Sequence, residues 1–73
     1  MTPEYKFSAK NLIEIRKAKK ISVPKLAELA NVSKSYLWRL ENTISNPTLE
    51  ILNRLGDVLG VAFKLESKSE TRL

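Results

Sequence analysis

The sequence predicts a small, mainly α-helical domain that ends in a short β-strand. Between residues 8 and 60, apolar residues recur three and four positions apart, which is the spacing of an amphipathic helix. Serine and asparagine residues at the starts of these segments are typical helix caps and divide the stretch into four helices. From residue 61 the period changes, because Val61, Phe63 and Leu65 alternate with other residues in the manner of a strand.

The chain is organised around residues 22–41, where two short helices are joined by a tight turn. Ser22 can cap the first helix with its hydroxyl, and Pro24 falls in the first turn, where its missing N–H costs nothing. Asn31 tolerates the left-handed conformation that ends a helix sharply, and Ser33 can cap the second helix. Two helices joined so closely must cross at a steep angle.

The second of these helices has one apolar side and one polar, basic side. Leu37 and Leu40 lie three positions apart on the apolar side. The residues turned away from them are Ser35, Tyr36 and Arg39. Trp38 is predicted to pack elsewhere. An ordinary solvent-exposed helix could carry the same three polar residues, so this pattern alone leaves their role open.

The segment resembles the helix-turn-helix of the phage-repressor (Cro-like, XRE-type) family of DNA-binding domains, and the likeness extends from about Leu12 to Val61. The residues that carry it are Arg16, Leu26, Ala27, Leu40, Glu41 and the stretch Asn46, Pro47, Thr48, Leu49. The resemblance implies a four- to five-helix lambda-repressor-like DNA-binding domain whose short C-terminal β-strand could pair across a dimer. It also implies that Arg16 pairs with Glu41 and ties the first helix to the end of the third.

Two positions depart from the family pattern. Val23 follows the capping serine, where the family often has a glutamine that bonds a phosphate or a neighbouring base, so one polar DNA contact is missing. Asn42 and Thr43 follow Glu41 in place of the usual glycine, although asparagine can adopt a glycine-like conformation. These changes concern the loop geometry and one contact rather than the expected fold.

The leading hypothesis is a sequence-specific DNA-binding transcriptional regulator, a small dimeric repressor that reads a pseudo-palindromic operator through its third helix. We expect Ser35, Tyr36 and Arg39 to reach base edges in the major groove, where the guanidinium of Arg39 suits guanine. The expected phosphate contacts are Lys25, Ser33, Lys34, Asn42 and Thr43. The alternative is an antitoxin, which would use the same domain to bind a toxin protein and its own promoter.

The net charge of +5 supports a polyanionic partner. Through Arg39, nine Lys or Arg residues stand against three Glu residues, while the remainder of the chain is nearly balanced. A basic surface attracts nucleic acid through counterion release, although an ordinary solvated surface would have the same composition. Charge is therefore compatible with DNA binding without establishing it.

Composition also argues against several other classes. Without cysteine or histidine, disulfides and the usual zinc sites and nucleophile–base pairs are excluded. The carboxylates are scattered and no glycine-rich phosphate loop is present, so we expect neither an enzyme nor a cofactor. No apolar run approaches the roughly 20 residues that span a bilayer, and the first ten residues are too polar for a signal peptide, so a cytoplasmic location is expected.

The chain is predicted to divide into four regions. They are an N-terminal arm without periodicity over 1–7, a helix-turn-helix domain over 8–60, a strand over 61–66 and a flexible tail over 67–73. Helix 1 is expected over about 9–20 with Ser8 as its cap, and helix 4 is expected to begin at Pro47 with Asn46 as its cap.

The sequence pattern of helix 4 and of the strand after it predicts a dimer. Helix 4 carries a stripe of core leucines, Leu49, Leu52, Leu55 and Leu59, which further apolar residues widen; the stripe either fills the core or faces a second subunit. Gly56 would allow close approach there. A lone strand has no partner within the chain, so we expect it to pair antiparallel with a second copy. The alternative is a monomer whose last strand folds back on its own helices. The predicted dimer interface is Ile51, Val58, Val61, Phe63 and Leu65.

Overall fold

A computed structural model describes residues 2–43 and 46–65, and within these ranges the chain forms four helices and one two-stranded sheet. In chain order the elements are β1 (Glu4–Lys6), α1 (Ala9–Ala18), α2 (Val23–Ala30), α3 (Lys34–Asn42), α4 (Leu49–Leu59) and β2 (Ala62–Lys64). The predicted mainly α-helical class is confirmed. The predicted tail over 67–73 and the last residue of the predicted strand lie outside the described residues. Within the described ranges, no helix has the length and apolarity to span a membrane.

The first three helices begin at the predicted serines. The hydroxyl oxygens of Ser8, Ser22 and Ser33 accept hydrogen bonds from first-turn backbone N–H groups at 3.0, 3.2 and 3.0 Å. Each bond satisfies a donor that the helix itself leaves unpaired, so the hydroxyl side chains place the starts of α1, α2 and α3.

The fourth helix begins later than predicted. Thr48 is its cap, with its hydroxyl oxygen 3.2 Å from the Ile51 nitrogen, so the prediction of Asn46 as cap and Pro47 as first helical residue is wrong. Pro47 is buried just before the cap, a position where an apolar side chain packs against the first turn. Leu49 consequently becomes the first helical residue and is 59% exposed, which corrects its prediction as a core residue.

Helices α1 and α2 each end close to a residue with a positive φ angle. Asn31 adopts the predicted left-handed conformation, with φ 60° and ψ 47°, and terminates α2. α1 ends at Ala18, earlier than predicted, because Lys20 also has a positive φ of 61°. The Ile21 N–H then bonds back to the Arg16 carbonyl at 3.2 Å, which closes the helix end.

One core joins all four helices. Its fully buried side chains are Leu12, Leu26, Leu37, Leu40, Leu52, Leu55 and Leu59. Ala27 and Ala30 of α2 are also buried and belong to the same core. The periodic leucines therefore lie inside as predicted, with Leu49 as the exception.

The C-terminal strand has a partner within its own chain. β2 pairs in parallel with β1, with Tyr5 opposite Phe63, so the prediction that the strand lacks a partner within its own chain is wrong. Phe7 anchors the arm: it is 9% exposed and its ring packs edge-on against Phe63, with centroids 5.7 Å apart. The edge that was expected to require a second copy is covered by residues from the start of the chain.

β2 also packs tightly on α4. Gly56 is buried, and a Cβ atom at this position would clash with the Val61 carbonyl oxygen. The close approach that Gly56 permits is thus to its own chain. Val61 and Phe63 are 7% and 6% exposed, so these two residues of the predicted dimer interface have side chains in the core of a single copy.

Candidate nucleic-acid interface

A buried ion pair holds the end of α3 against α1. The Arg16 Nε and Nη2 atoms donate to the two Glu41 carboxylate oxygens at 2.6 and 3.0 Å, a bidentate arrangement. The side chains are 11% and 4% exposed. Arg16 Nη1 also donates to the Ile21 carbonyl at 2.9 Å, so one guanidinium joins α1, the α1–α2 connection and α3. The pairing that the family resemblance implied is present.

The turn between α2 and α3 is fixed from inside. The Val32 N–H bonds to the Ala27 carbonyl at 3.0 Å, and the Asn31 N–H bonds to the Glu28 carbonyl at 3.2 Å. Three residues, Asn31, Val32 and Ser33, therefore suffice to end α2 and to begin α3.

Arg54 makes a second set of polar contacts between helices, which was not predicted from the sequence. Its Nη1 donates to the Asn31 carbonyl at 3.1 Å, and its Nη2 donates to Glu50 Oε2 at 2.7 Å. α4 thereby bonds to the residue at which α2 ends. The target is a backbone carbonyl, which any residue carries, so only the i,i+4 spacing of Glu50 and Arg54 could have drawn attention to this side chain.

The outward side of α3 carries the predicted base-reading residues. Ser35 and Arg39 are exposed, whereas Tyr36 is half-buried and packs partly against the core. Trp38 is 53% exposed, so the prediction that it packs elsewhere in the protein is wrong. Its position three residues after Ser35 turns it away from the leucines that face the core.

The electrostatics of α3 are one-sided. Lys34 and Arg39 are exposed, while Glu41, the acidic residue of this helix, is buried and paired with Arg16. The exposed part of the helix therefore carries positive charge and polar donors. Such a surface is complementary to a polyanion.

The predicted phosphate-binding residues differ in how many of their hydrogen-bond donors are still available. Lys25 is exposed, with its ammonium 3.9 Å from Glu28 Oε1, a weak surface pair. Ser33 uses an oxygen lone pair as a cap, so its hydroxyl hydrogen can still be donated.

The two residues that end α3 are engaged with its backbone. Asn42 Nδ2 donates to the Trp38 carbonyl at 2.8 Å, which leaves the second amide hydrogen available. Thr43 gives both its backbone N–H, at 2.7 Å, and its hydroxyl, at 3.2 Å, to the Arg39 carbonyl. Thr43 thus has no donor left for a phosphate in this conformation.

Comparison with known proteins identifies the family. A family model for HTH_3, helix-turn-helix, matches residues 12–65, which is well over half of the chain. The chain belongs to this helix-turn-helix family. The matched range includes both helices of the motif, the Arg16–Glu41 pair and all of α4, so the resemblance to XRE-type domains is confirmed over the region that builds the candidate interface.

Individual relatives of this helix-turn-helix chain are regulators. It is 43% identical over 47 residues to the immunity repressor protein of Bacillus phage phi105, covering 64% of this chain and 33% of that protein. It is 39% identical over 61 residues to the HTH-type transcriptional regulator SinR of Bacillus subtilis (strain 168), covering 80% of this chain and 55% of SinR. The chain spans a third to about half the length of these curated relatives.

A solved structure of SinR shows the same fold. The crystal structure of SinR in complex with DNA superposes with a TM-score of 0.71 at 38% identity, covering 74% of this chain and 87% of the other. The agreement extends to most of the helix-turn-helix domain described above.

Replacing Glu41 with Ala should destabilise the domain by about 3–5 kcal/mol, because Arg16 would remain charged and buried without its partner. Urea unfolding measures this loss. Glu50→Ala is the matched control: it breaks an Arg–Glu pair of similar length, 2.7 Å, whose side chains are 39% and 72% exposed. Exposed pairs contribute at most about 1 kcal/mol, so equal losses in the two variants would contradict a special role for the buried pair.

Proposed function

We propose that this chain is the DNA-binding part of a sequence-specific transcriptional regulator that represses by occupying an operator. The observation that carries the proposal is the outward side of α3, where exposed donors and positive charges stand on a helix braced by Arg16 and Glu41. The likeness to a phage immunity repressor and to SinR, which was crystallised with DNA, supports the same function. Among the described residues, no feature favours toxin binding over DNA binding.

α3 would lie in the major groove, with its exposed side toward the bases. Arg39 has the planar fork of donors that pairs with the O6 and N7 atoms of guanine. Ser35 lies one helical turn earlier on the same side and can donate to or accept from a base edge. Tyr36 stands at the border between core and solvent, so only its hydroxyl end would reach DNA.

Phosphate contacts would position this helix. Lys34 begins α3, and the Ser33 hydroxyl caps it, so both lie at the positive end of the helix dipole, where phosphates bind readily. Lys25 and the free amide hydrogen of Asn42 would extend the contacts to either side. We omit Thr43 as a side-chain donor because its hydrogens already bond to Arg39.

Selecting bound sites from a random DNA pool tests the function directly, and the selected site then tests the roles. Arg39→Ala should cost about 1–3 kcal/mol of binding to that site and little on scrambled DNA, since base contacts carry the specificity. Lys34→Ala should weaken binding to the selected and the scrambled duplex alike. It should also reduce the number of counterions released on binding by about one, which is measured from the salt dependence of the affinity.

Lys10→Ala is the control for these two variants, because it removes the same charge from an exposed position on α1, outside the residues assigned to DNA and to the dimer, and should leave binding nearly unchanged. Equal losses of Arg39→Ala on selected and scrambled DNA would show that Arg39 does not read bases. Failure of the wild-type chain to enrich any site would contradict the proposed function as a whole.

The proposal includes a homodimer on a pseudo-palindromic site. Ile51 and Val58 are half-buried on α4, and Leu65, just after β2, is 44% exposed, so part of the predicted interface is available to a second copy. The side chains of Val61 and Phe63 are buried and the Val61 N–H bonds to the Gly56 carbonyl, so neither residue brings a side chain to the proposed interface. A twofold dimer of this kind could set two α3 helices about 34 Å apart, in successive major grooves.

Analytical ultracentrifugation at micromolar concentration should show a dimer, and Leu65→Lys should raise its dissociation constant at least about tenfold, because like charges would meet across the twofold axis. Leu49→Lys is the control, since Leu49 is also exposed and apolar but lies outside the proposed interface. A wild-type chain that is monomeric both alone and on the selected site would overturn this assembly.

A further inference from the structure

Trp38 is a large apolar side chain left in solvent. It is the chain's single tryptophan and is 53% exposed. The other large hydrophobic residues with comparable exposure, among those the structure describes, are Tyr5, Leu29, Leu49 and Leu65. Those four lie in the arm, on α2, at the start of α4 and after β2, so Trp38 alone stands on α3.

Helix geometry places Trp38 beside the base-reading residues. Successive residues of an α-helix are rotated by about 100°, so positions three and four apart are neighbours on its surface. Trp38 lies three residues after Ser35 and four before Asn42, whose side chain bonds to the Trp38 carbonyl. Leu37 and Leu40 are fully buried and lie on the side of the helix that faces the core. The indole therefore borders the surface that the proposed function turns toward the major groove.

The surroundings of Trp38 do not suit a protein partner. Its exposed neighbours one helical turn away are Lys34, Ser35 and Asn42, and Arg39 follows it in sequence. Protein interfaces usually require a contiguous apolar patch, whereas here one aromatic ring is surrounded by donors and positive charge. A ring in this setting fits a partner that combines negative charge with isolated apolar groups. Double-stranded DNA is such a partner, because thymine exposes a C5-methyl group in the major groove.

We propose that Trp38 is a specificity-determining residue that makes an apolar contact with the C5-methyl group of a thymine. The inference rests on the proposed function, since α3 must enter the major groove. It adds an apolar contact to the hydrogen bonds assigned to Ser35 and Arg39. Because Trp38 and Arg39 are adjacent, the thymine should lie within about two base pairs of the guanine that Arg39 contacts, given a rise of about 3.4 Å per pair.

The test uses the DNA site selected by the wild-type chain. Each thymine is replaced in turn by deoxyuridine, which removes only the methyl group, and the dissociation constant is measured for the wild type, Trp38→Ala and Leu29→Ala. Burying one such carbon is worth about 0.8 kcal/mol, which corresponds to about a fourfold change in affinity. We expect this fourfold loss at one thymine per half-site in the wild type and in Leu29→Ala, and no loss there in Trp38→Ala.

Leu29→Ala is a matched control because Leu29 is 51% exposed, close to the value for Trp38, but lies on α2. Trp38→Phe should retain part of the methyl effect, since it keeps an aromatic ring. As a second measurement, acrylamide quenching of the single tryptophan should fall on binding the selected site. Substitution of so exposed a residue should leave the fold intact.

The outcomes separate this inference from the proposed function. If no site is enriched from the random pool, the proposed function fails. If a site is enriched but deoxyuridine penalties are the same with and without Trp38, the methyl contact is wrong even though the domain binds DNA. A Trp38→Ala variant that weakens all duplexes equally would assign the ring to the sugar–phosphate backbone and would likewise overturn the proposal.

Discussion

The geometry of this domain depends on the buried bidentate pair between Arg16 and Glu41. A guanidinium and a carboxylate taken out of water are costly unless nearly all of their hydrogen-bonding capacity is used. Here three guanidinium nitrogens have partners, two on Glu41 and one on the Ile21 carbonyl, and both carboxylate oxygens are satisfied. The directional fork of the pair allows α3 little freedom to rotate or slide relative to α1. A purely apolar contact between the same helices would constrain their angle less.

The Arg16–Glu41 pair also affects the charge on the exposed side of α3. Burying Glu41 removes the acidic group of this helix from the surface, so the same interaction that fixes the helix also leaves its outward side positive. The Ser33 cap sets where the helix begins, and Arg54 holds the carbonyl of Asn31 at the preceding turn. Position, rotation and charge of the proposed reading surface are therefore determined by a few specific polar contacts, while the leucine core supplies most of the stability.

Sequence patterns predicted the local features well and the non-local ones poorly, apart from the Arg16–Glu41 pair, which the family resemblance implied. Helix starts at serine residues depend on a side chain and the next three backbone groups, so they can be read from a short stretch. The start of α4 was misplaced because Asn46 and Thr48 are both good caps, and packing of the proline between them decides the choice. Pairing of the arm with β2 joins opposite ends of the described chain, and three-residue strands have too little periodicity to reveal it. The exposure of Trp38 was missed because tryptophan is usually buried.

A double-mutant cycle on Arg16 and Glu41 tests most directly whether their interaction holds α3 in place. The free energy of unfolding is measured for Arg16→Ala, Glu41→Ala and the double variant. Removing the second partner eliminates an unpaired buried charge, so the double variant should be more stable than the sum of the single losses predicts, by about 2–3 kcal/mol. The cycle cancels the separate contribution of the Ile21 carbonyl, which Arg16 loses in both of its variants. Losses that add within about 0.5 kcal/mol would contradict the claim that this interaction holds α3 in place.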